Sequence, residues 1–240
     1  MEPDLDALPP GTDVEAVLDD LADVLERRTV AYGLAEPEIT REGASRLTLR
    51  VTGIGADDAG NLLGATAQLE FRKPILSASH NVICETVEGD TYAAPYSPFQ
   101  FAEDREANRL SCPAGSGGLM GFVQWEPATA TDSQGGEQVL SGAFLRPNAQ
   151  VADDPVNVVI EFTDEGSLLL EQITTELVAL PIAIWIDEDL VGAPTVSEPI
   201  TGGATAISGL SEGEAHILAA QLNSGPLPVP VEIVSTEEQP

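Results

Sequence analysis

Val156-Asn157-Val158-Val159-Ile160-Glu161-Phe162-Thr163-Asp164-Glu165-Gly166-Ser167-Leu168-Leu169 is the stretch on which the reading of the fold turns. Its Val- and Ile-rich opening predicts a strand over 156–163, and Asp164 then caps a helix with Leu168, Leu169, Ile173 and Leu177 along one side. A second strand is expected over 181–186, where the acidic turn Asp187-Glu188-Asp189 passes to 190–194 and on to an extended stretch at 199–208. Ser211-Glu212-Gly213-Glu214 then has the form of a capping box. It opens a helix with Ile217, Leu218 and Leu222 on its apolar face, Gly225 ends that helix, and 229–234 reads as a closing strand. The order β-α-β-β-α-β is that of a split βαβ, ferredoxin-like unit.

Working outward, the N-terminal flank repeats most of that order. Val14, Val17, Leu18, Leu21, Val24 and Leu25 recur at helical spacing behind Thr12-Asp13, and Gly33 supplies the stop because it tolerates the left-handed conformation. Strands over 37–42 and 46–51 around Gly43-Ala44-Ser45 form a hairpin, followed by a short helix at 56–63 and a strand at 67–72. This is α-β-β-α-β, so the first strand of the half is missing, and truncation ahead of Met1 is expected because an open edge is rarely left unpaired. Between Lys73-Pro74 and Asp154-Pro155 helix signals almost vanish, while seven of the eleven aromatic residues and both cysteines lie there. The fold class expected is therefore α+β: two ferredoxin-like halves, 1–73 and 156–240, forming a base, with an inserted β-rich head at 74–155. Lys73, Pro74, Asp154 and Pro155 are the expected hinge.

Composition narrows the function. The 240 residues suffice for one large domain or two small ones, and 42% hydrophobic content is that of a globular chain. Ten Lys and Arg against forty Asp and Glu give a net charge of −30, with no Lys or Arg after Arg146. Nucleic acid is excluded as a partner, since binding it needs cations that displace counterions from phosphate. No apolar run approaches the ~18 residues of a membrane span, and the N-terminus has neither the basic nor the apolar region of a signal peptide.

Catalytic chemistry finds little support. The only histidines are His80, beside Ser77 and Ser79, and His216 within the last helix, so a secreted hydrolase built on His80 stands as the alternative. Asp57-Asp58, Asp153-Asp154 and Asp187-Glu188-Asp189 match no metal-ligand spacing, and no metal is expected. Gly115-Ser116-Gly117-Gly118 and Thr201-Gly202-Gly203 lack the lysine of a phosphate loop and the context of a dinucleotide fingerprint, so no cofactor is expected. Cys84 and Cys112 could form one disulfide or remain two buried thiols. Tyr92, Tyr96, Phe99, Phe101 and Trp125 could line a cleft for extended peptide or pack a core.

Several runs carry a family resemblance. Phe162-Thr163-Asp164-Glu165-Gly166, Ile182-Ala183-Ile184-Trp185-Ile186-Asp187, Pro199-Ile200-Thr201-Gly202-Gly203, Ile207-Ser208-Gly209 and Gly225-Pro226-Leu227-Pro228-Val229-Pro230 resemble the first large extracytoplasmic domain of SecD, a protein-export membrane subunit. Leu25-Glu26-Arg27-Arg28, Ala31-Tyr32-Gly33-Leu34-Ala35-Glu36-Pro37 and Leu63-Gly64-Ala65-Thr66-Ala67-Gln68-Leu69-Glu70-Phe71-Arg72 agree with it in the front flank. The resemblance covers 12–73 and 140–236 and is weak over 74–139; the family's opening strand and membrane helices have no counterpart here. It implies a non-enzymatic, extracytoplasmic module whose head holds an emerging unfolded preprotein and swings on its base; the aromatic residues concentrated in the insertion, Tyr92, Tyr96, Phe99, Phe101 and Trp125, are the contacts expected from composition. It also implies a SecF-type partner and a SecY-type translocon, reached through membrane helices, and favours the Cys84–Cys112 disulfide. A stand-alone structural or adhesion domain on the same scaffold is the remaining alternative.

Overall fold

The computed structural model of the protein describes residues 1–43, 46–104, 107–115, 118 and 120–234. Ala44 and Ser45 of the expected hairpin turn, and Ser116 and Gly117 of the glycine-rich stretch, lie outside the described residues. The chain is α+β, with four α-helices and several small sheets among the described residues. It divides into two compact units: Met1–Gln68 with Arg146–Ile160 and Leu210–Pro240, and Leu69–Leu145 with Glu161–Gly209.

The first unit is built on helices. Helix α1 spans Val14–Ala31, with the Asp13 carboxylate accepting from the Glu15 and Ala16 amides. Helix α2 spans Ala56–Gly64. A third helix of this unit, Glu212–Ser224, begins with the reciprocal Ser211–Glu214 capping box expected of its sequence. Leu21, Leu25, Leu47 and Leu62 are fully buried where these helices meet, together with Ile217, Ala220, Leu227 and Val229. The ribbon Glu38–Glu42/Arg46–Arg50 is paired as expected, and Glu2–Pro3 pairs with Val231–Glu232.

The second unit is built on sheets. One has the order Trp125–Pro127, Leu69–Pro74, Ala183–Ile186, Asp189–Gly192, and the other Thr91–Ala94, Val82–Thr86, Gly121–Val123, Arg109–Ser111, Ala102–Asp104. Its helix, Asp164–Glu176, is capped by the Thr163 hydroxyl rather than by Asp164, and buries Leu169, Leu170 and Ile173. Leu168, expected on that face, is exposed.

Leu69–Pro74 pairs with Trp125–Pro127 and Ala183–Ile186. The cause is apolar matching across strands, with Phe71 opposite Ile184 and Leu69 opposite Ile186, whereas Glu38–Glu42 has no buried residue to offer. The insertion 74–155 is thereby stitched into a sheet with residues on both its flanks, and 161–209 belongs to the same unit. Lys73 and Pro74 are opposite Glu126 and Trp125 in a ladder that holds their backbone, and Asp154-Pro155 is the turn of the hairpin Gln150–Asp153/Val156–Glu161.

Candidate functional site

The five-stranded sheet of the second unit carries Tyr92 on the strand Thr91–Ala94; Tyr96, Phe99 and Phe101 lie in the connection that follows it, and Trp125 is on the edge strand of the four-stranded sheet. Cys84, opposite Val123, and Cys112, whose amide donates to the Gly121 carbonyl, flank the central strand Gly121–Val123. They are joined in a disulfide that spans 28 residues of chain and is shielded from solvent. Around it Val82, Ala94, Phe101, Leu110 and Val123 make a buried cluster.

Three of the five aromatic residues expected to face a peptide are part of this packing. Phe101 is buried, and its ring lies 4.8 Å from that of Tyr96. The Tyr96 hydroxyl lies 2.8 Å from Thr195 Oγ1, and the Tyr92 hydroxyl donates to the Pro113 carbonyl at 2.7 Å. Each phenol end is thus satisfied inside the fold, which fits packing better than a peptide-facing role. Phe99 behaves differently: at 97% exposed, it stands almost wholly in water. Trp125 is partly buried at the edge of the four-stranded sheet.

Trp125 borders a cleft of about 430 Å³, lined by strands of both sheets. Arg72 and Trp185 enter it from the four-stranded sheet, and Glu85, Arg109 and Phe122 from the five-stranded one. The Arg72 guanidinium lies over the Trp185 ring, 4.5 Å from its centroid, and donates to Glu70 through Nε and Nη2. The Arg109 guanidinium lies over the Phe122 ring at 4.6 Å. A second cleft of about 270 Å³ is lined by Phe71, Leu170, Ile182, Ile184, Pro194 and Val196 among others. Composition alone did not single out Arg72, Arg109 and Trp185, although both tryptophans of the chain converge on one cleft.

The hydrolase alternative has no geometry behind it. His80 is exposed, and its imidazole makes no hydrogen bond to a hydroxyl among the described residues; the Ser77 hydroxyl instead accepts from the Asn81 amide at 3.1 Å. Among the described residues no group of three or more His, Cys, Asp or Glu could hold a metal ion, and no helix is long and apolar enough to cross a membrane.

Comparison with known proteins decides the family. Residues 131–229 match the family model for the SecDF P1 head subdomain, and residues 18–75 that for the N-terminal part of the P1 domain of protein translocase subunit SecDF, more than half of the chain between them. The chain belongs to the SecD family, in its P1 domain. SecD of Magnetococcus marinus is 30% identical over 222 residues, covering 90% of this chain and 38% of that protein. SecDF of Thermus thermophilus is 32% identical over 231 residues, covering 92% of this chain and 28% of that protein. A solved structure of SecDF, described as a membrane component that enhances protein export, superposes with a TM-score of 0.60 at 25% identity, covering 99% of this chain and 98% of that one. SecDF in a super-membrane-facing form gives a TM-score of 0.62 at 27% identity, covering 98% of this chain and 29% of that one. The chain therefore spans well under half the length of these curated relatives. SecD and SecDF are membrane-associated subunits of the protein translocase, with a periplasmic P1 domain, and are not a family of catalytic enzymes.

Proposed function

We propose that this domain acts on the extracytoplasmic side of a SecD-type subunit, where it holds an emerging unfolded preprotein and assists its export. Membership of the P1 family supports that placement, and the exposure of Phe99 supports the contact. A phenylalanine side chain fully in water leaves unsatisfied something on the order of 2 kcal/mol of transfer free energy that an apolar segment of a passing chain can recover. Phe99, with Trp125 at the cleft, is therefore the contact point, while Tyr92, Tyr96 and Phe101 support the surface from beneath. A SecF-type subunit and a SecY-type translocon are the partners in this reading.

A swing of head on base, where it operates in export, belongs to the segments at which the chain passes between units: Gln68 to Leu69, Leu145 to Arg146, Ile160 to Glu161 and Gly209 to Leu210. It does not belong to Lys73-Pro74, whose backbone is held in a ladder. The contact is tested with a photo-crosslinking side chain at Phe99 in the full-length subunit, on membranes halted during export. Capture of the arrested preprotein from Phe99 but not from exposed Val30 is the expected result; capture from Val30 alone removes the assignment.

A further inference from the structure

The cleft bordered by Trp125 holds an excess of hydrogen-bond donors in a chain that is otherwise short of cations. Among the described residues, the Arg109 guanidinium has neither an ion pair nor a hydrogen bond, although the chain carries forty carboxylates. Its guanidinium rests on the Phe122 ring beneath it. Stacking restrains a guanidinium while leaving its N–H groups free to donate, so less entropy is lost when a ligand arrives. Arg72 is likewise laid on Trp185, and Glu70 takes its Nε and Nη2, leaving the Nη1 hydrogens. Trp185 is only 8% exposed, and its Nε1–H is buried without an acceptor. A buried N–H left unpaired is destabilising, and an oxygen that displaces the groups covering it relieves that penalty. The cleft thus offers the unpaired Arg109 guanidinium, the remaining N–H groups of the Glu70-paired Arg72 and an unpaired indole donor, with Glu85 the one carboxylate among its lining residues.

We propose that this cleft binds a carboxylate, carried either on an extended peptide or on a small organic acid, with Arg109 and the Trp185 indole as donors and Arg72 adding positive charge. The peptide source rests on the export reading; the carboxylate chemistry does not. Glu85 works against the ligand and sets its affinity low, as suits a chain that is held and then released.

Trp125 and Trp185 are the only tryptophans, and both line the cleft, so intrinsic fluorescence of the 240-residue chain reports on it without background. The probes are the acetylated, amidated pentapeptide Ala-Ala-Glu-Ala-Ala, its Gln counterpart, and glutarate. The Glu peptide is expected to give a saturable change about ten-fold tighter than the Gln peptide, because a charge-assisted hydrogen bond is about twice as strong as a neutral one. Arg109→Gln, at an exposed position, weakens binding about ten-fold, and Glu85→Gln tightens it severalfold, with circular dichroism verifying the fold of each. Saturation by glutarate as well identifies free acids as ligands; saturation by the peptide alone identifies a polypeptide. Equal response to the Glu and Gln peptides, no saturable response to either acid, or unchanged affinity in both variants overturns the proposal. Failed crosslinking at Phe99 with these titrations intact removes the export contact and leaves the carboxylate site standing.

Discussion

At Arg28 one side chain does the work of several. It is fully buried in the helical unit and donates to the carbonyls of Leu62 at 3.2 Å, Thr66 at 3.2 Å and Gly225 at 3.3 Å, to that of Ala65, and to the Ser224 hydroxyl at 3.1 Å. These acceptors lie at the C-terminal ends of two helices, where carbonyls lack helical partners and the helix dipole is negative. Arg28→Met removes the guanidinium donor from the Leu62 and Ala65 carbonyls, while Thr66 keeps the Leu227 amide and Gly225 the Ser224 hydroxyl, and is expected to cost on the order of 3 kcal/mol in urea unfolding. Arg28→Lys recovers only part, because an ammonium cannot fork to several carbonyls. Asp132 gives a residue whose effect depends on pH. The Gly136 amide, with the Gln138 side chain next in weight, holds its carboxyl below the usual value of 3.8. Its folded pKa is depressed, so its stabilisation is complete above that value and is lost as pH falls through the folded one. The difference in stability between the parent chain and Asp132→Ala is therefore expected to be constant near neutrality and to shrink only in acid, measured by urea unfolding at a series of pH values.

At the scale of elements, the sheet unit depends on one covalent tie and one close approach. Reducing Cys84–Cys112 frees a loop of 28 residues in the unfolded chain. By the chain-entropy model it is expected to lower stability by roughly 3–4 kcal/mol in denaturant melts with and without reductant. Gly166 sits in the first turn of the helix Asp164–Glu176, where an added Cβ would lie 2.7 Å from Phe144 Cβ and 3.0 Å from the Phe144 carbonyl oxygen. Neither atom can swing aside as a long side chain would. Gly166→Ala is therefore expected to push the helix off its neighbour and cost about 1–3 kcal/mol in thermal unfolding, despite alanine's better helix propensity.

Over the whole molecule, charge has the largest reach. Forty acidic groups against ten basic ones repel one another in the compact state. Salt also weakens the ion pairs, such as Arg50–Glu38, but exposed pairs contribute at most about 1 kcal/mol each, so the repulsion wins. Raising ionic strength from about 0.01 M to about 1 M shortens the screening length from about 30 Å to about 3 Å. The melting temperature is expected to rise across that range; a fall would show that the ion pairs outweigh the repulsion.

What could be read from residues alone is what local chemistry decides. Asp13, Ser211 with Glu214, and the 3.6-residue spacing from Val14 to Leu25 specify helices within a few residues of their own positions, and the hairpin 38–50 follows from alternation about a turn. The family signature was legible for the same reason, being carried by contiguous runs. Strand partnership is another kind of fact. Leu69–Pro74 has the same alternation whichever strands lie beside it, and only the folded chain brings Ile184 opposite Phe71 and Trp125 opposite Pro74. That choice joins strands that lie far apart along the chain. It also brought Arg72, Arg109, Trp125 and Trp185 to one cleft while turning Phe101 inward and Phe99 out. Composition counts aromatic rings; burial, a property of long-range contacts, decides which of them meet water.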